Sequence, residues 1–115
     1  MSPRIVYPLQ RSGNLLFLRA SINGANGDSL RVRLLVDTGS SYTTLPINLL
    51  EDLGYDISAA ANRRIACLGQ SFSDFPIAAL DLPFNPLMSG LLGMDFLSRI
   101  GATIDIKAAQ IIVVN

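Results

Sequence analysis

The sequence predicts a mainly β fold carrying one or two short helices. Three observations lead there. Leu30, Val32, Leu34 and Val36 alternate with Arg31, Arg33 and Leu35, which is the period of a strand with one buried face. Apolar runs of strand length recur along the chain and are closed by turn formers such as Asn23-Gly24-Ala25-Asn26-Gly27-Asp28. Pro76, Pro83 and Pro86 punctuate the second half into short segments.

Taken in order, Leu15-Leu16-Phe17-Leu18 opens a strand running on to Ile22, and the 23–28 turn closes a hairpin with the alternating segment. Asp37 falls in the arginine phase of that segment, at the strand's end and away from the Leu30/Val32/Leu34/Val36 face. Leu45 to Gly54 reads as a short helix. Pro46 suits its first position, Gly54 its stop, and Leu45, Leu49 and Leu53 form one apolar face. Short strands follow around Ile65–Leu68, Phe72–Phe75 and Ile77–Leu82. Gly90-Leu91-Leu92-Gly93-Met94 is an apolar run between glycines, and Asp95 to Gly101 reads as a turn or two of helix capped by Asp95 and left through Gly101. The last element is a hairpin, Thr103–Ile106 and Gln110–Asn115, turning at Lys107-Ala108-Ala109. Its run of β-branched residues must pair, within the domain or with another copy.

At 115 residues the chain is expected to form one domain over 1–115. Nine basic and nine acidic residues give a formal net charge of zero, with no basic stripe or acidic tail, so nucleic acid and membrane are not expected partners. Half the residues are hydrophobic, which at zero net charge suggests that a partner covers part of the surface. Cys67 is the one cysteine, so no intramolecular disulfide forms, which fits a reducing compartment. The absence of histidine excludes Ser-His-Asp and Cys-His triads and imidazole zinc sites, and no metal or cofactor is expected. Met1 to Ile5 lacks the profile of a signal peptide and no apolar stretch is long enough to span a bilayer, so a cytoplasmic location is the expectation.

The candidate chemistry lies at Asp37. A carboxylate that ends an apolar strand, Leu34-Leu35-Val36, and precedes a glycine turn needs partners or a raised pKa. Its functional reading is proton transfer. Its structural reading is a strand-end aspartate bonding the Gly39 turn, and the residues alone leave both open. Asp95 reads as a helix cap. Asp74, Asp81 and Asp105 read as solvated positions, and Glu51-Asp52 as the polar face of the first helix. Arg31 and Arg33 read as a solvated stripe, part of which could line a groove beside Asp37. Cys67 reads as a small buried hydrophobe.

Asp37-Thr38-Gly39-Ser40 directly after an apolar strand, with Ser41 following and Gly90-Leu91-Leu92-Gly93-Met94-Asp95-Phe96-Leu97 later in the chain, resembles the retropepsin-like aspartic proteases, especially the small single-domain forms of bacteria. The resemblance runs from Leu15 to Val114. It implies an acid-protease fold, a retropepsin-like closed β-barrel half, and an endopeptidase acting on peptide or protein substrates. It implies that Asp37 is the catalytic carboxylate. Thr38 would bond across a dimer axis, Gly39 would allow the tight turn, and Ser40 and Ser41 would bond the aspartate's outer oxygen or nearby backbone. Leu91, Leu92 and Gly93 would cross behind the loop and support it. Two carboxylates within hydrogen-bond reach share one proton. A chain with one Asp-Thr-Gly therefore implies a homodimer with Asp37 of each copy on the axis.

The sequence departs from this pattern where a mobile hairpin, the flap, is expected to close over the peptide. Asn62-Arg63-Arg64 runs almost at once into Ile65-Ala66-Cys67-Leu68-Gly69-Gln70, so that hairpin is shortened, with Gly69-Gln70 as a stub tip, or missing. The alternative reading is thus a non-catalytic dimeric peptide-binding or assembly module. A phosphate-handling loop, as in sugar-kinase and actin-like folds, is disfavoured because those folds need longer chains and a second loop. Leu35, Ile65 and Leu87 are expected around the cleft.

Overall fold

The computed structural model describes residues 3–56, 62–81 and 88–114. Along the chain run β1 (Arg4–Pro8), β2 (Gln10–Ser12), β3 (Leu15–Asn23), β4 (Ser29–Val36), β5 (Thr44–Pro46), α1 (Ile47–Asp52), β6 (Asn62–Cys67), β7 (Gln70–Pro76), β8 (Ala78–Leu80), β9 (Gly90–Leu92), α2 (Met94–Arg99), β10 (Thr103–Asp105) and β11 (Gln110–Val114). Among the described residues the strands form two sheets. One is ordered β1-β11-β10. The other is ordered β7-β6-β3-β4-β9-β5-β8 with β2 paired to β3, and it curls into a half-barrel.

The alternation in the sequence sets the faces of the large sheet. Leu16, Leu18, Ala20 and Ile22 of β3 and Val32 and Leu34 of β4 are buried together with Ile65, Leu92, Phe75 and Phe96. Phe72, Phe75 and Phe96 pack ring to ring at 5.4–5.8 Å, which holds α2 against β7. The Arg99 guanidinium lies 4.1 Å over the Phe72 ring and closes the cluster from outside. Phe17 belongs to the opposite face of β3. It is buried, with the Arg33 guanidinium 4.2 Å over its ring.

Several expectations shift by a few residues for local reasons. The first helix begins at Ile47, and Leu45 and Pro46 belong to β5 instead, where Leu45 pairs with Ala79. Pro46 disfavours a helical residue before it and stands in extended conformation (φ −62°, ψ 145°) at the N-cap. The residue buried on this helix is Leu50, with Leu49 only partly covered. Gly54 ends it with φ +86°, a left-handed conformation suited to glycine. Leu68 leaves the predicted strand and forms with Gly69 a two-residue turn, both at positive φ, between β6 and β7. The predicted strand end at Leu82 and the cleft residue Leu87 lie outside the described residues.

The C-terminal strand β11 pairs on both sides inside the chain, with β1 (Ile5↔Val113) and β10 (Ile104↔Ile111). Its β-branched run is thereby protected, and Ile111 and Val113 join the core.

Candidate active site

Two segments far apart in sequence build the site. Strand β4 delivers Asp37 at its end, and β9 runs parallel beside it, Leu35 opposite Leu91 and Val36 opposite Leu92. The pairing continues past the strand: the Asp37 amide donates to the Leu92 carbonyl at 3.0 Å. The Met94 amide donates to the Ser40 carbonyl at 2.8 Å, and the Asp95 amide to the Ser41 carbonyl at 3.2 Å. Residues 92–95 therefore run along the back of the 37–41 loop and satisfy its backbone.

Gly93 permits this approach. A Cβ there would stand 2.5 Å from the Tyr42 carbonyl carbon. Gly90 is similarly crowded, with a Cβ 2.5 Å from the Thr44 carbonyl oxygen. Leu92 is fully buried behind the loop and Leu91 is half-buried.

Within the loop, the Gly39 amide donates to Asp37 Oδ1 at 3.0 Å and the Ser40 amide to the Asp37 carbonyl at 3.1 Å. Asp37 is half-buried, and its Oδ2 has no hydrogen-bond partner among the described residues. Thr38 and Gly39 are exposed at the tip. The Ser40 hydroxyl donates to the Tyr42 carbonyl at 2.8 Å, so it bonds nearby backbone and not the carboxylate. A carboxylate fixed through one oxygen, with the other open, suits a role as base or acid toward a group that arrives from outside.

Sequence reasoning missed Thr43. It is fully buried, and its amide and hydroxyl both donate to the Asp95 carboxylate, while its hydroxyl oxygen accepts from the Gly93 amide at 3.2 Å. Asp95 is accordingly not the helix cap: Gly93 holds that position without a side-chain bond, and Asp95 sits inside the first turn. Its carboxylate accepts from the Phe96 amide at 2.8 Å and otherwise ties α2 to Thr43. The only signal in the sequence was a polar Thr43-Thr44 pair leading into an apolar segment.

The hairpin β6–β7 is present, and register fixes its reach. Strands β4 and β6 flank β3, both antiparallel to it, so they run the same way. Ala66 is level with Ser21 and hence with Arg31, which puts the Leu68–Gly69 turn level with Arg33 and Leu34. Along the strands the tip stops roughly 10–13 Å short of Asp37 at ~3.3 Å per residue. It is docked against β1, because a Cβ on Gly69 would overlap the Tyr7 hydroxyl. Ile65 is fully buried in the core and does not line a cleft. Burial also pushes the Cys67 thiol up to about 12.

Residues 18–76 match a family described as aspartyl protease, a span that includes the 37–41 loop and ends before β9. None of the curated proteins matches the sequence. Among solved structures, the chain is similar to a retropepsin-like aspartic protease from Rickettsia conorii, with a TM-score of 0.68 and 22% identity over 99% of this chain and 91% of that one. It is also similar to the retroviral protease-like domain of Ddi1 from Leishmania major, with a TM-score of 0.55 and 17% identity over 84% and 85% of the two chains. The architecture is the retropepsin-like one anticipated from the sequence.

Proposed function

The chain belongs to the aspartyl protease family, and on that premise we propose that it is an endopeptidase whose active site forms when two copies bring their Asp37 carboxylates together. The observation that carries this reading is the state of Asp37, fixed through Oδ1 by the Gly39 amide and unpartnered at Oδ2 among the described residues. Two such carboxylates at hydrogen-bond distance hold one proton between them, the arrangement known for aspartic proteases. The ionised member takes a proton from a water molecule while the protonated member donates to the scissile carbonyl oxygen. The water oxygen bonds to the carbonyl carbon, giving a neutral gem-diol with the proton count unchanged. Transfer of a proton to the amide nitrogen then breaks the C–N bond and regenerates the dyad. The brace from residues 92–95 fixes the loop during these steps, and Thr38, exposed at the tip, is available to the partner's loop.

A second reading is a dimer of the same fold that binds peptide without cutting it. The short reach of the β6–β7 hairpin favours it, because that tip does not extend over Asp37.

The deciding experiment incubates the purified chain and Asp37→Asn with an unfolded protein substrate between about pH 3 and 8, alongside sedimentation of the unmodified chain. Cleavage by the unmodified chain alone, from a dimer, is the expected result. Cleavage that survives the substitution, or a strictly monomeric active species, overturns the proposal. Peptide binding without turnover selects the second reading.

A further inference from the structure

The outer face of the large sheet carries a group of arginines that the site described above does not use. Arg19 stands directly opposite Arg33 across β3 and β4, and Ser21 stands opposite both Arg31 and Ala66. Arg33 is stacked on Phe17, and its Nε is buried without a hydrogen-bond partner. Arg19 and Arg31 are exposed, and their guanidinium groups have no ion pair or hydrogen bond among the described residues. Both line a cleft of about 400 Å³ whose other wall is the turn and first residues of β7, including Gly69 and Ser71. Among the described residues, no aspartate or glutamate lines that cleft.

Like charges placed directly opposite on a sheet face are unfavourable, and no acid among the described residues relieves them. Guanidinium groups present planar donor forks that match carboxylates two bonds at a time. A concave site with two open forks and hydroxyl donors at Ser21 and Ser71 thus suits carboxylates from outside. Its position says which ones. Arg31 lies on β4 and Asp37 directly follows that strand, six residues on or about 20 Å away at ~3.3 Å per residue. An extended peptide of about six residues spans that distance.

We propose that the Arg19/Arg31 cleft is a remote recognition site for an acidic segment of the peptide substrate, some six residues from the bond held at Asp37. This rests on the peptide-cleft reading above, and the test keeps the two apart. The probe is a capped triglutamate peptide, with triglutamine as its control, followed through the Nε–H signals of Arg19 and Arg31 by NMR on Asp37→Asn protein. Triglutamate is expected to shift both signals and triglutamine neither. Arg19→Gln with Arg31→Gln, checked for unchanged thermal unfolding, is expected to weaken triglutamate binding at least tenfold. On a longer peptide with an apolar centre, an acidic tail is expected to improve affinity about tenfold over an amide tail, an advantage lost at high salt. No response to triglutamate, a preference that survives the double substitution, or inorganic phosphate shifting the signals at lower concentration than triglutamate would each overturn the assignment. A triglutamate response from a chain that never cleaves peptide removes the peptidase reading and leaves the cleft. Cleavage without that response removes the cleft alone.

Discussion

The Thr43 hydroxyl donates to Asp95 Oδ1 at 2.8 Å across 52 positions of sequence, and the Thr43 amide reaches the same carboxylate at 3.0 and 3.1 Å. This contact joins the segment after Asp37 to the helix after Leu92. It holds the loop's back in place while the loop's tip stays exposed. Bonds to a charged acceptor in a partly buried setting are stronger than neutral ones, about 1.5–3 kcal/mol each in typical cases.

Removing either end should therefore loosen the loop. Asp95→Ala is expected to cost about 2–4 kcal/mol and Thr43→Val about 1–3 kcal/mol. In urea unfolding the double variant should fall short of the sum by about 0.5–3 kcal/mol. Strict additivity would show that the two residues act independently.

The close crossing at Gly93 sets a second expectation. Gly93→Ala places a methyl group 2.5 Å from the Tyr42 carbonyl carbon, which is backbone and cannot swing aside. A loss of about 1–3 kcal/mol should follow, seen as a lower urea midpoint. Any surviving activity should fall as well, because the displaced backbone leads directly into the Asp37 loop. Gly101→Ala meets no atom within 4 Å but stands at φ +64°, so it should cost only the backbone strain of a positive φ, about 1 kcal/mol.

One carboxylate per chain makes activity depend on pairing. In an equal mixture of unmodified and Asp37→Asn chains that exchange freely, about a quarter of dimers carry two aspartates. Total activity should then fall to about a quarter of that of the same total amount of unmodified protein. A fall to about half would show that a single chain suffices. Asp37→Asn itself, at a half-exposed position, should leave thermal unfolding within about 0.5 kcal/mol of the original.

Cys67 offers a pH test of the fold. Burial raises its pKa from 9.0 to about 12. Below about 9 the thiol is protonated in both folded and unfolded chains, and its contribution to stability is fully present. Between about 9 and 12 the unfolded thiol ionises while the folded one does not, so that contribution is lost as pH rises. Urea midpoints should decline across this window more for the original chain than for Cys67→Ala. At pH 8 a thiol-reactive dye should label Cys67 only at the rate of unfolding. Fast labelling of the native chain would show that the cysteine is open to solvent.

Much of the fold was written in local patterns. The alternation over 30–36, the glycine-rich 23–28 turn, the Gly54 stop and the final hairpin each rest on residues close in sequence, and each stands where the pattern placed it, except that Leu30, expected on the buried face, is exposed near the start of β4. Boundaries moved where a neighbour in space outbid a local preference. Leu45 left the helix because Ala79 supplies a strand partner, and Leu68 left its strand because the tight turn to Gly69 needs positive φ at both residues.

The sequence alone thus determined the strand that carries Asp37, the glycine turn after it, and the apolar segment able to lie behind it. Only the tertiary structure decided that Thr43 is buried against Asp95, that Gly93 is pressed onto Tyr42, and how far the β6–β7 turn extends. The reason is one of range. Periodicity and turn chemistry act over a few residues, whereas a hydrogen bond across 52 positions or the register of two strands beside a third exists only after the chain has closed on itself.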